Sequence, residues 1–242
     1  MSEVSITCCD CVDGLRGLGD SSVDLVFTSP PYKDEDGYSH RLMYDVAVEC
    51  FRVLRDNRVA LVNFGHMADF KSRPFRVAAC FEKAGFEWVD TITWVKNHFS
   101  PVSGSRRLNN LTEFVFLLAK GDDYELDRLS IGVPFVDKTN ATRFAANEGR
   151  DLRCGGNVWY VPYETIQSKK QKTHRHRFPV QLPENGIRLS GIPEGSVVLD
   201  PFSGSGTTGV AAVRCGMSFI GFDHDLSCVE SSKLRFSEGA HE

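Results

Sequence analysis

Three features of this 242-residue chain predict an α/β fold with a mostly parallel sheet. Strand-like apolar runs alternate with helical ones. One run passes into a glycine-rich turn that opens a helix, and the run after that helix ends on an acidic residue. Alternation of this kind is expected of parallel strands, because each crossover must return the chain to the same end of the sheet.

The strand segments are 4–9, 23–28, 59–64, 88–94, 114–118, 197–200 and 218–222. Between them, 42–54 carries Val46, Ala47, Cys50, Phe51 and Leu54 at helical spacing, with Arg52 and Arg55 on the opposite face. A second helix over 75–84 is stopped by Gly85, and a third runs from near Thr207 to Arg214, stopped by Gly216. A last helix covers 226–236. The stretch 98–168 breaks this rhythm with Gly104, Gly121, Gly132, Gly149, Gly155 and Gly156 and one clear strand. It reads as an inserted, irregular recognition region, set between 1–97 and 169–242, which together form the main domain.

Composition narrows the class. With 41% apolar and 25% charged residues the chain is ordinary globular protein. No apolar run approaches the roughly 18 residues of a membrane span. No basic-then-apolar opening suggests export. Cys50, Cys80, Cys154, Cys215 and Cys228 stand alone, and Cys8, Cys9 and Cys11 cluster at a strand end without the second pair that zinc requires. Eight reduced, mostly buried thiols in a cytoplasmic protein are expected, with no metal site.

Charge is unevenly spread. Residues 1–50 carry 3 basic and 10 acidic side chains, whereas 138–188 carry 10 basic and 4 acidic. The densest run holds Lys169, Lys170, Lys172, Arg175 and Arg177, with His174 and His176 between them. A basic run on an acidic protein suits a phosphate backbone, although a solvated loop has the same composition.

The run 197–200 enters Pro201-Phe202-Ser203-Gly204-Ser205-Gly206-Thr207-Thr208-Gly209, a match to G-x-G-x-x-G. Glycine allows the tight turn and close backbone approach, and the helix N-terminus offers free N–H groups. No lysine follows the glycines, so this is not a phosphate-gripping P-loop. Asp223 closes the next strand, 19 residues after Gly204, where an acid accepts bonds from ribose hydroxyls. Asp225 can substitute, and Asp223 also reads as the cap of the last helix. Asp200, ahead of the glycines, would repel a pyrophosphate but pair with an ammonium. An adenosine with an α-amino group and no phosphate fits this set, which points to S-adenosylmethionine.

The sharpest signal is Ser29-Pro30-Pro31-Tyr32 after the strand 23–28. Ser29 is pushed towards extended backbone by the proline that follows. The prolines fix φ and lack N–H groups, so the strip offers bare carbonyl acceptors and then an aromatic ring. Ser29 Oγ and the Pro30 carbonyl can take both protons of an exocyclic amine while Tyr32 stacks on its ring. A rigid turn with a surface tyrosine is the plain alternative.

Together, Ser29-Pro30-Pro31-Tyr32 near the start and Asp200 to Thr208 near the end resemble the β-group DNA amino methyltransferases. The resemblance implies a Rossmann-like, doubly wound class I methyltransferase fold, circularly permuted, with catalytic motif first, target-recognition region in the middle and cofactor motif last. It implies Ser29, Pro30, Pro31 and Tyr32 as catalytic, and Asp10, Asp200, Phe202, Gly204, Gly206, Thr207 and Asp223 as contacts to S-adenosylmethionine. Trp94-Val95-Lys96 resembles the motif beside the target base. His176-Arg177-Phe178-Pro179 with Leu182-Pro183 resembles the lead into a helix over the methionine end, preceded by Asn157-Val158-Trp159. Arg106 and Arg107, with Asn109, Asn110 and the lysine-rich run, are the candidate contacts to double-stranded DNA. A companion restriction endonuclease and a homodimer are compatible with the family. In it, a leading serine accompanies cytosine N4 and a leading aspartate accompanies adenine N6. The resemblance therefore implies direct methylation of cytosine N4 on a flipped base, with adenine N6 as the alternative and an NAD-type oxidoreductase as the rival from another class. The acidic 34–36 loop fits none of these roles, and a mobile lid is the reading adopted for it.

Overall fold

A computed structural model describes residues 3–32, 39–66, 72–98, 108–136, 151–163 and 177–239. The first half gives β1 (Val4–Cys8), α1 (Cys11–Arg16), β2 (Val23–Thr28), α2 (His40–Val53), β3 (Leu54–Gly65), α3 (Arg73–Ala84) and β4 (Glu87–Val95). There follow β5 (Thr112–Lys120), β6 (Val133–Pro134), β7 (Leu152–Arg153) and β8 (Val158–Tyr160). The chain closes with α4 (Gln181–Leu189), β9 (Val197–Asp200), α5 (Thr207–Arg214), β10 (Ser218–Asp223) and α6 (Leu226–Gly239).

Eight strands form one sheet in the order β1-β10-β9-β2-β3-β5-β4-β8. The strands from β1 to β3 are parallel, β5 is antiparallel to both β3 and β4, and β8 runs parallel to β4. β6 and β7 pair apart from it as a small ribbon.

Helices cover both faces. Leu25 and Phe27 of β2 point to a core shared with α4, α5 and α6, while Val26 points to one shared with α1, α2 and α3. All six residues of β2 are buried, the condition of a central parallel strand. The doubly wound sheet is as expected.

Two sequence expectations need correction. The boundary at 98 cuts through the sheet, because β5 and β8 lie within 98–168 yet pair with β3 and β4. The thiols are not mostly buried: Cys11 and Cys50 are, Cys8 and Cys154 are exposed, and the other four lie between. The exposed pair sits at strand ends, Cys8 closing β1 and Cys154 just past β7.

α4 carries both Pro183 and Gly186, which read locally as breakers. Pro183 lies in the first turn, where a missing N–H costs no bond. A Cβ on Gly186 would stand 2.7 Å from the ring of Phe27, so the glycine is what lets α4 lie on β2. Among the described residues no helix is long and apolar enough to cross a membrane.

Candidate active site

Chain direction across the sheet reverses between β9 and β2. From β9 the chain steps through α5 to β10, and from β2 through α2 to β3 on the other side. The crevice beyond the carboxyl ends of such a strand pair is where open α/β sheets place ligands. Here one side chain closes it. Asp200, at the end of β9, accepts from Thr28 Oγ at 2.7 Å, Thr208 Oγ at 2.6 Å and the Phe202 amide at 3.0 Å. It thereby ties β2, β9 and α5 together and is only 1% exposed. Burial raises its pKa to about 6, against the hydrogen bonds from Thr208, Thr28 and Phe202, which act to lower it.

The glycine loop turns at that point. Gly204 and Gly206 have φ of +53° and +76°, a left-handed backbone that favours glycine. The glycines answer different needs. A Cβ on Gly209 would meet the Phe236 ring at 2.4 Å, and one on Gly206 would meet it at 2.8 Å, so both let α5 pack on α6. A Cβ on Gly204 would enter open space. Of these three glycines, Gly204 is the one with room on its Cβ side, and its carbonyl accepts from Ser232 Oγ at 3.0 Å. Asp223 fixes it by accepting from the Gly204 amide at 2.8 Å through one oxygen and from the Asp225 amide at 2.8 Å through the other. The cap of α6 is Asp225, which accepts from the Ser227 amide and hydroxyl. Asp223 is thereby left at the mouth of the loop. Asp10 caps α1 through the Val12 and Asp13 amides and stands exposed two strands away. Asp10, Asp200 and Asp223, set along this edge, suit hydroxyls and an ammonium better than phosphates.

This division of labour is testable. Gly209→Ala is expected to lower the unfolding free energy by about 1–3 kcal/mol through overpacking against Phe236. Gly204→Ala should lose only about 1–2 kcal/mol from its left-handed backbone. Thermal melts of the ligand-free proteins compare them, and a smaller loss for Gly209→Ala would overturn the packing argument.

Beside the crevice, Ser29 and Tyr32 enter a partly buried polar network. The Tyr32 hydroxyl lies 3.1 Å from Ser29 Oγ, 3.0 Å from Asn63 Oδ1 and 3.0 Å from Glu113 Oε2. Ser29 donates to Asn63 Oδ1 at 3.2 Å, and Asn63 donates its own amide to the Phe114 carbonyl at 3.1 Å. Lys96 Nζ sits 2.6 Å from Glu113 Oε1, a pair with side chains only 11% and 10% exposed. Lys96 also lies over the Trp94 and Tyr163 rings. The Tyr32 ring rests on Phe64, centroids 4.3 Å apart, and a Cβ on Gly65 would meet it at 2.9 Å. Burial, and then the Glu113 charge, hold the Tyr32 phenol well above its ordinary range, so it keeps its proton.

The 29–32 strip is less bare than expected, because the Tyr32 carbonyl accepts from Arg73 at 2.7 Å. Asp10, Ser29 to Tyr32, Asp200 to Gly206 and Asp223 all fall at carboxyl ends of parallel strands, hence along one sheet edge. Phe202 and Thr207 belong to the same turn, with Thr207 buried at the first position of α5. Asn110 accepts from the Thr112 amide and so opens β5. Arg106, Arg107, Lys169, Lys170, Lys172, Arg175 and the 34–36 loop lie outside the described residues. Asn63, Arg73 and Glu113 carried no sequence signal, and Lys96 had only its place in the Trp-Val-Lys resemblance. Burial raises the Cys9 thiol and pushes Cys11 up to about 12, which disfavours both as nucleophiles.

Comparison with known proteins adds a second line. Residues 23–234 match the pattern of the DNA methylase family. The orphan methyltransferase M.BamHII of Bacillus amyloliquefaciens is 29% identical over 229 residues, 85% of each chain. The type II methyltransferase M2.MboI of Moraxella bovis is 26% identical over 254 residues, covering 95% of this chain and 86% of its own. Among solved structures, the cytosine-N4-specific PvuII DNA methyltransferase superposes with a TM-score of 0.74 at 21% identity, over 98% of this chain and 87% of that one. A complex of M1.HpyAVI with SAM gives 0.66 at 23% identity, over 96% and 98%. These last two share the fold.

Proposed function

Because the chain belongs to the DNA methylase family, we propose that it transfers a methyl group from S-adenosylmethionine to the exocyclic amine of a flipped DNA base, cytosine N4 in the first place. The observation that carries this reading is the Thr28–Asp200 bond, which sets the Ser-Pro-Pro-Tyr strip and the glycine loop on either side of one crevice. Asp223 and Asp10 would hold the adenosine end of the methyl donor, the open backbone at Gly204 would pass under it, and Asp200 would face its ammonium. Bound there, the donor supplies a methyl on a positive sulfur for direct in-line attack by the amine.

The protein's own part is positioning. Ser29 and the Pro30 carbonyl accept the two amine protons and so aim the nitrogen lone pair. Tyr32 offers its ring to a base that has left the stack, at a cost of about a few kcal/mol to the duplex. Placement and fixed dipoles then supply most of the rate. The basic run from Lys169 to Arg177, with Arg106 and Arg107, supplies phosphate contacts, and the part of 98–168 outside the main sheet reads the site.

Ser29 at the head of the strip supports cytosine over adenine by resemblance to the family. Duplex DNA incubated with enzyme and methyl donor, digested to nucleosides and weighed by mass spectrometry, is expected to yield N4-methylcytosine. N6-methyladenine would move the assignment to the other amine. A product free of methylated amine would overturn the reading.

A further inference from the structure

The resemblance to the family assigns Glu113 no role and Lys96 only a place beside the target base, and the proposed transfer makes no use of either. Yet they form a nearly buried ion pair whose free oxygen ends under the tyrosine of the strip. Such a pair is costly to desolvate and weak evidence for stability. Its place in the network says what else it does.

Each hydroxyl here has one proton. Asn63 is fixed in sense, because its amide nitrogen donates to Phe114 and its oxygen therefore faces the hydroxyls. Lys96 occupies Oε1 of Glu113, so Oε2 needs a donor, and Tyr32 is the donor in reach. With the tyrosine proton drawn to Glu113, neither Asn63 Oδ1 nor the Tyr32 oxygen can give a proton to Ser29, and both accept one. The serine proton turns inward in either case, and its lone pairs are left facing the crevice.

We propose that Glu113, held by Lys96, is a positioning residue that sets Ser29 as a hydrogen-bond acceptor and so makes the site select a base edge carrying an amine over one carrying a carbonyl. This rests on the methyltransferase reading and adds to it the device that distinguishes an amino target from a keto one. An acceptor pair, Ser29 Oγ and the Pro30 carbonyl, is satisfied by an NH2 group and left unpaired by a carbonyl oxygen, and such a mismatch is where large discrimination arises. In Glu113→Gln the side-chain amide can donate to Tyr32, the tyrosine proton turns to Asn63, and Ser29 is freed to donate outward.

The test uses the full-length enzyme and the duplex it is found to methylate. The target base is set opposite an abasic site, so that base pairing does not differ between targets. Affinity is compared for the amino base and its keto counterpart, cytosine against uracil or adenine against hypoxanthine, beside steady-state kinetics. The parent is expected to prefer the amino base. Glu113→Gln is expected to lose most of that preference and about tenfold or more in kcat, with KM for DNA and the Kd of the methyl donor within about threefold, whereas Tyr32→Phe, which keeps the ring and leaves Asn63 Oδ1 to accept from Ser29, is expected to keep the preference. Glu113→Asp, which restores the charge, is expected to recover part of both. An amino preference unchanged in Glu113→Gln overturns the proposal, as does a loss of kcat matched by loss of methyl-donor binding. A parent enzyme that methylates no DNA amine overturns the underlying reading instead.

Discussion

Asp200→Asn is expected to make the protein more stable at neutral pH and worse at binding its methyl donor. The ordinary pKa of 3.8 is raised to about 6 in the fold, with burial as the largest cause. Between those values the folded protein holds a proton that the unfolded chain releases, so stability declines as pH rises through the window and stays low above it. At about 1.36 kcal/mol per pKa unit, the ionised carboxylate costs roughly 3 kcal/mol at pH 7.5. Asparagine removes that charge and keeps the shape. Its oxygen can still accept from Thr28 and the Phe202 amide, and its nitrogen can donate to Thr208 once that hydroxyl turns. Denaturant melts from pH 4 to 8 should show the parent falling with pH while the variant stays level. A variant that is less stable than the parent at pH 7.5 would mean that the raised pKa has been misassigned.

On the proposed reading, Asp200 is kept at this cost to stability because it serves the methyl donor. If it faces the donor's ammonium, its loss removes a charge-assisted bond of about 1.5–3 kcal/mol, or roughly 10- to 100-fold in affinity. The parent's own affinity should also weaken as pH drops through about 6, because the carboxyl must then lose a proton on binding. Calorimetry of both proteins measures this. An unchanged donor constant would leave Asp200 as a strut between β2, β9 and α5 and nothing more.

Much of this edge was readable before the fold was seen, and for a physical reason. Central parallel strands are buried on both faces, so β2 and β9 announce themselves as apolar runs, and the loops at their carboxyl ends follow directly in the chain with Ser29 and Gly204. The network under Tyr32 obeys no such rule. Asn63, Lys96 and Glu113 lie 31 to 81 residues from Tyr32, on β3, just past β4 and on β5. They meet because the antiparallel register sets Gly65 and Trp94 opposite Glu113. A one-residue slip of that register would send Glu113 to the other face, and no local pattern specifies it. α4 was hidden differently: Gly186 and Pro183 look like breakers until Phe27 is seen beneath them.

Tyr32→Ala should affect turnover far more than anything else. The ring does two jobs that alanine cannot. It offers a stacking face, worth about 1–3 kcal/mol per base in other single-strand sites. It also packs on Phe64 and against Gly65, which holds its hydroxyl 3.1 Å from Ser29 Oγ. Without it the amine is both less often captured and less well aimed, and a misplacement of about 1 Å alone can cost 10²-fold. We therefore expect kcat to fall by about two to three orders of magnitude, with the methyl-donor Kd within about threefold, because the bonds that fix Gly204 run to Asp223 and Ser232. Single-turnover methylation and donor titration measure the two arms. Comparison with Tyr32→Phe separates ring from hydroxyl: a phenylalanine variant as dead as alanine places the whole effect in the network, while one far more active than alanine assigns the larger share to the ring. Equal losses of donor binding and turnover in Tyr32→Ala would mean that the ring supports the donor site and that the base lies elsewhere along the edge.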